Sequence, residues 1–139
     1  ELNKAAAQLA KKAAAEVSAQ ERDRPRFVAG VLGPTARTLS AAPSGQDPSL
    51  RDTTFDELAA AYGEQVRGLV DGGVDMLALL MVSDTLNAKA AVYAIDEYFE
   101  AAGKDRLPLL ITVDVVDDKQ GLRTKSGQSL EAFLTSIRH

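Results

Sequence analysis

Three short apolar runs, separated by long amphipathic stretches, constrain most strongly how this chain can fold. The runs cover residues 27–32, 74–82 and 109–116, and continuous apolar runs of this length are typical of strands buried on both faces of a parallel sheet. Residues 55–70 and 85–102 lie between them and have the apolar spacing of helices. The pattern predicts an α/β fold in which parallel strands alternate with helices through right-handed connections.

The remaining segments complete this alternation. They are predicted as a first helix, a long loop, a polar loop and a last helix, at residues 2–17, 35–53, 117–128 and 129–138. In the first helix Leu2, Leu9 and Val17 form only a thin apolar seam, so we expect it to pack on a sheet edge through its alanines. Thr54 and Glu57 have the spacing of a capping box and should begin the second helix.

Length and composition favour one folded domain, residues 1–139, with 45% hydrophobic and 26% charged residues. The 16 basic and 20 acidic residues are interspersed, so the chain has no basic stripe for nucleic acid. It has no apolar stretch of the roughly 18 residues that a membrane span needs and no signal peptide, and we expect a cytoplasmic protein. The absence of cysteine excludes disulfides and any thiolate metal site built from this chain alone.

Polar residues follow the first two apolar runs at the positions where strands of a parallel sheet hand over to ligand-binding loops. Gly33, Pro34 and Thr35 form the first exit, with a hydroxyl at Thr35; a purely structural strand exit would also use Gly and Pro. At the second exit Asp84 could cap the following helix, and Asn87 or Lys89 could face the mouth of a barrel.

Three sequence blocks resemble the homocysteine-binding (homocysteine S-methyltransferase) barrel domain of cobalamin-dependent methionine synthase. They are FVAGVLGPTAR from residue 27, SDTLNAKAA from residue 83 and RTKSGQS from residue 123, in the family's order. The resemblance implies a partial (β/α)8 barrel, because 139 residues fall short of the roughly 250 of a complete one. An open three-layer α/β sheet is the alternative. The substrate-binding residues implied by the resemblance are Gly33, Pro34, Thr35, Asp84, Asn87, Ser126 and Gly127.

Some strand-end residues depart from the family pattern. Leu80 stands where the family carries an acidic residue, and Met81 and Ser83 replace the usual Thr and Phe. Val113 stands where the family has a glycine that allows close backbone approach. A carboxylate at position 80 could bind the substrate's ammonium group, so its loss predicts weakened homocysteine binding.

The resemblance also implies cofactors that this chain does not bind by itself. Family enzymes hold zinc with three cysteines and use cobalamin, whereas this chain has no cysteine, and we assign it no catalytic or metal-binding residue. We therefore expect a segment of a methionine synthase that is not active alone, with the remainder of the barrel as its partner. The alternative is a non-catalytic remnant, or an engineered partial-barrel scaffold that self-associates as a homo-oligomer.

A few other polar or soft side chains could carry chemistry but favour simpler interpretations. Asp114, Asp117 and Asp118 could bind a hard cation, but a solvated acidic loop is the favoured interpretation. His139 is terminal and is not expected to act as a base. Met76 and Met81 lie in an apolar run and are predicted to be core residues.

Overall fold

The computed structural model of the chain describes residues 1–40, 47, 49–119 and 121–138. Helices and strands alternate along most of this length, as the sequence predicts. In chain order the elements are α1 (Leu2–Gln20), β1 (Ala29–Leu32), α2 (Phe55–Asp71), β2 (Met76–Val82), α3 (Thr85–Ala102), β3 (Leu109–Val113), β4 (Val115–Asp118), β5 (Gly121–Thr124) and α4 (Leu130–Ile137).

Strands β1, β2 and β3 form one parallel sheet in that order. Val31 pairs with Ala78, which pairs with Leu110, so these three side chains share one face of the sheet. Right-handed crossovers between sequential strands bring their helices to the same side, and α2 packs against α3. The parallel strands and their crossover helices confirm the α/β prediction. The sheet is open, which is consistent with both a partial barrel and a layered α/β sheet.

The two faces of the sheet differ in burial. Leu32 is fully buried, and Gly30 on the same face lies against α2, where an added Cβ would be 3.2 Å from the side chain of Leu69. On the opposite face Val31 is 52% exposed and Leu110 is 48% exposed. The expectation of strands buried on both faces is therefore wrong for β1 and β3, because only one face meets helices among the described residues.

Local sequence signals set the ends of α2 and α3. The Thr54 hydroxyl accepts a hydrogen bond from the Glu57 N–H at 3.2 Å, and the Glu57 carboxylate accepts one from the Thr54 N–H at 2.8 Å, which confirms the capping box. Gly103 ends α3 in the left-handed conformation, with φ +59°. The predicted boundaries of these two helices agree with the structure to within one residue.

Helix α1 packs on α2 rather than on a sheet edge, which corrects the prediction. Ala7 lies over Gly72, where an added Cβ would approach the Ala7 Cβ to 2.4 Å, so only glycine allows this close contact. Leu2, Leu9 and Val17 are exposed. The predicted contact through alanine is confirmed, but its partner is the glycine-containing surface of a helix.

The segment after β3 is a hairpin where a continuation of the strand and a polar loop were predicted. Strand β3 ends at Val113, and β4 then pairs with β5 in antiparallel register, with Val115 opposite Thr124. Gly121 has φ +100°, a backbone conformation that favours glycine. The prediction of a loop over residues 117–128 is wrong in this part, because Val115 and Val116 favour extended structure and found a second strand to pair with.

Buried side chains from α2, β2 and α4 meet in one core, with Tyr62, Leu77, Leu79 and Phe133 fully buried.

None of the helices in the described part of the chain is long and apolar enough to cross a membrane.

Candidate functional site

The buried side-chain amide of Asn87 connects the loop that follows β1 to α2 and α3. Asn87 donates through Nδ2 to the Thr35 hydroxyl at 2.8 Å and to the Arg37 carbonyl at 2.9 Å. Its Oδ1 accepts a 2.6 Å hydrogen bond from the Tyr62 hydroxyl, which also lies 3.4 Å from the Gly33 carbonyl oxygen. Burial raises the pKa of Tyr62, so the phenol remains protonated and able to donate. Asn87 therefore has partners for both of its amide atoms within the protein.

Asp84 is the second anchor of the same loop. Its Oδ2 accepts hydrogen bonds from the N–H groups of Leu39 at 2.7 Å and Ser40 at 2.9 Å. Its Oδ1 accepts the Ser40 hydroxyl at 2.6 Å and the N–H groups of Leu86 at 2.9 Å and Asn87 at 3.3 Å, which caps α3. Burial alone would raise the pKa of Asp84, but these hydrogen bonds outweigh it and hold the pKa below its usual value.

The third sequence block reaches the same edge of the sheet through the turn after β5. The Ser126 N–H donates to the Ser83 carbonyl at the end of β2, at 3.4 Å, and Gly127 takes φ +88° in this turn. The Thr85 hydroxyl at the start of α3 donates to the Gln128 side-chain oxygen. All three sequence blocks thus lie at the carboxyl edge of the parallel strands, where α/β proteins bind small ligands.

The end of β2 is irregular and apolar. The register between β2 and β3 shifts between Leu79 and Val82, which marks a bulge, and Leu80 within it is partly buried. Met81 has φ +57° and is 64% exposed, and its N–H donates to the Thr112 hydroxyl at 2.8 Å. The prediction that Met81 is a core residue is wrong, because the bulge turns its side chain outward; Met76 is partly buried.

The donor residues do not fit the zinc that the resemblance implies. A thiolate zinc site needs cysteines, and the chain contains none. The described residues also contain no group of three or more His, Asp or Glu side chains that could hold a metal ion. Asp114 instead pairs with the Lys125 ammonium at 2.7 Å. The side chain of Asp118 and the whole of His139 lie outside the described part of the chain.

These features define an α/β protein whose polar loops gather at the carboxyl edge of a parallel sheet. The model of the family described as homocysteine S-methyltransferase matches residues 1–139, and the chain belongs to this family. The family predicted from the three sequence blocks is thereby confirmed.

The structure brings together most of the predicted site residues and adds others. Gly33, Thr35, Asp84 and Asn87 share one hydrogen-bond network, and Pro34 lies beside them in a small pocket. Ser126 and Gly127 lie on the neighbouring turn. Sequence reasoning missed the polar role of Tyr62, which its helical spacing marked only as an apolar contact, and it missed Ser40 and Gln128, whose partners are distant in sequence. Whether these residues bind a substrate stays a prediction.

Proposed function

We propose that this chain is a segment of the homocysteine-binding domain of a cobalamin-dependent methionine synthase. The observation that carries the proposal is the meeting of the three sequence blocks at one sheet edge, in a chain of the homocysteine S-methyltransferase family. In this reaction the substrate sulfur gains a methyl group and its thiol loses a proton. The pocket must therefore bind the amino-acid end of homocysteine and leave the sulfur open to the methyl donor.

We expect the chain to contribute part of this pocket and not the catalytic groups. Its lack of cysteine supports zinc ligands supplied by other residues, and cobalamin is likewise expected to bind elsewhere. Its open sheet supports completion of the barrel by further strands. Methyl transfer is thus expected only when these 139 residues are joined or combined with the remainder of the site.

The test is calorimetric titration of homocysteine, kept reduced, into the chain and into Leu80→Glu. Wild type should bind weakly, because Leu80 stands in place of the family's carboxylate. Restoring a carboxylate there should tighten binding about ten-fold or more, since a hydrogen bond to a charged group contributes about 1.5 to 3 kcal/mol.

Leu134→Glu is the matched control, because Leu134 is exposed on α4 and the same charge is added away from the sheet edge. Its affinity should equal that of wild type. If neither the wild type nor Leu80→Glu binds homocysteine, the proposed function is wrong.

The exposed face of the sheet favours a second candidate, a non-catalytic scaffold that self-associates. Val31 and Leu110 are about half exposed on the face that lacks helices, and strands β1 and β3 each have an unpaired edge within the described sheet. Pairing with a second copy of this chain would cover the exposed face and the unpaired strand edges. Light scattering should then give a dimer or larger assembly that Val31→Lys reduces, and a monomer at high concentration would contradict this candidate.

A further inference from the structure

Two carboxylates near the ends of β2 and β3 differ in how many partners they already have. Asp84 accepts five hydrogen bonds from the loop and from α3, so it has no remaining capacity for a ligand. Asp114 has Lys125 as its ionic partner, at 2.7 Å, and its side chain is 29% exposed. An ionised carboxylate offers about four acceptor sites, so Asp114 keeps acceptor capacity at the edge of the sheet.

Asp114 lies near Leu80, which stands where the family carries an acidic residue. The Asp114 N–H donates to the Val82 carbonyl at 2.8 Å, which continues the pairing of β3 with β2 by one residue. The alternation of the strand then assigns Asp114 to the same face as Leu110 and Thr112. Thr112 in turn accepts the N–H of Met81, directly after Leu80. Asp114 therefore lies directly after the neighbouring strand β3, beside the bulge that holds Leu80.

We propose that Asp114 and Lys125 recognise the two charged groups of the amino-acid substrate, with Asp114 binding its ammonium and Lys125 its carboxylate. The inference rests on the proposed function and adds to it the residues that select an α-amino acid. In the free protein each charge of the pair neutralises the other. A zwitterionic ligand presents the same two charges in complementary order, so each side chain exchanges one ionic partner for another.

Exchange of partners is favoured by the exposure of the pair. The Lys125 side chain is 64% exposed and reaches across from the turn after β5, and such an exposed ion pair contributes little to stability. Opening it therefore costs little, and its loss leaves no buried unpaired charge. Asp84 differs in this respect, because any ligand would have to displace hydrogen bonds that hold a loop and cap a helix.

Calorimetric titration with three probes tests the assignment: homocysteine, 4-sulfanylbutanoate, which lacks the amino group, and 3-sulfanylpropan-1-amine, which lacks the carboxylate. Asp114→Asn should weaken homocysteine binding about ten-fold, whereas the affinity for 4-sulfanylbutanoate should not fall, because this probe has no ammonium group and Lys125 remains available to its carboxylate. Lys125→Gln should weaken homocysteine binding similarly, whereas the affinity for 3-sulfanylpropan-1-amine should not fall, because Asp114 remains available to its ammonium group. Thermal unfolding by circular dichroism verifies that each variant folds.

The control is Arg106→Gln, which removes a comparable exposed ion pair to Asp96, 2.8 Å long, away from the carboxyl ends of the strands. It should bind all three probes as wild type does. If wild type binds homocysteine but Asp114→Asn binds it equally well, or loses affinity for all three probes alike, this inference is wrong and the proposed function stands. If neither wild type nor Leu80→Glu binds homocysteine, both are wrong.

Discussion

The ends of β1 and β2 lie side by side on the same edge of the sheet but are built in different ways. The loop after β1 is held by two buried polar side chains from the start of α3, Asp84 and Asn87, whose polar atoms have protein partners. At the end of β2, Leu80 and the exposed Met81 contribute no polar side chain at all. The comparison separates polar residues that build an edge from positions that remain open to a ligand, a distinction that motif matching does not make.

The largest expected effect comes from removing the Asp84 carboxylate, which holds the loop after β1. Asp84→Ala leaves the N–H groups of Leu39 and Ser40 without their carboxylate and removes the cap of α3. We expect a loss of about 3 kcal/mol in the free energy of unfolding, measured by urea denaturation. Asp96→Ala, which removes an exposed carboxylate from the same helix, should cost at most about 1 kcal/mol. Equal losses in the two variants would show that Asp84 does not anchor the loop.

The same carboxylate should make stability depend on pH. Because the pKa of Asp84 lies below its ordinary value in the folded protein, its stabilising contribution is complete above the unfolded pKa of about 3.9. That contribution is lost as the pH falls through the lower folded value, because protonation removes the acceptor charge. Unfolding measured from pH 7 to pH 2 should therefore show a steeper acid loss for wild type than for Asp84→Asn. Parallel curves would contradict the assignment.

A smaller effect is expected at Asn87. Asn87→Ala removes the partners of the Tyr62 hydroxyl and of Thr35, and should lower the free energy of unfolding by about 2 kcal/mol. Tyr62→Phe alone, which removes the hydroxyl donor to Asn87, should lower the free energy of unfolding by about 1 kcal/mol. Because the two side chains share one hydrogen bond, the double variant should lose less than the sum of the single losses. Additive losses would mean that the 2.6 Å contact contributes nothing to stability.

The sequence predicts the alternating fold well because the physical signals are local. Capping at Thr54, the left-handed end at Gly103 and the apolar runs of the strands each depend on a few neighbouring residues. Two features escaped prediction because they depend on contacts between separate segments and not on a signal within one segment. The hairpin forms because Val115 pairs with Thr124, and Asp84 binds backbone groups of a loop more than forty residues away.

The smallest expected effect concerns the backbone conformation of Met81 at the end of β2. Met81 has φ +57°, and a residue with a Cβ loses about 1 to 2 kcal/mol in this left-handed conformation. Met81→Gly should relieve that cost but gain conformational entropy in the unfolded chain, for a net stabilisation of about 0.5 kcal/mol in urea unfolding. Met81→Ala keeps the Cβ and should not be stabilised. If the two variants are equally stable, the backbone at the end of β2 is not strained. The end of β2 and the loop held by Asp84 and Asn87 then differ only in their side chains.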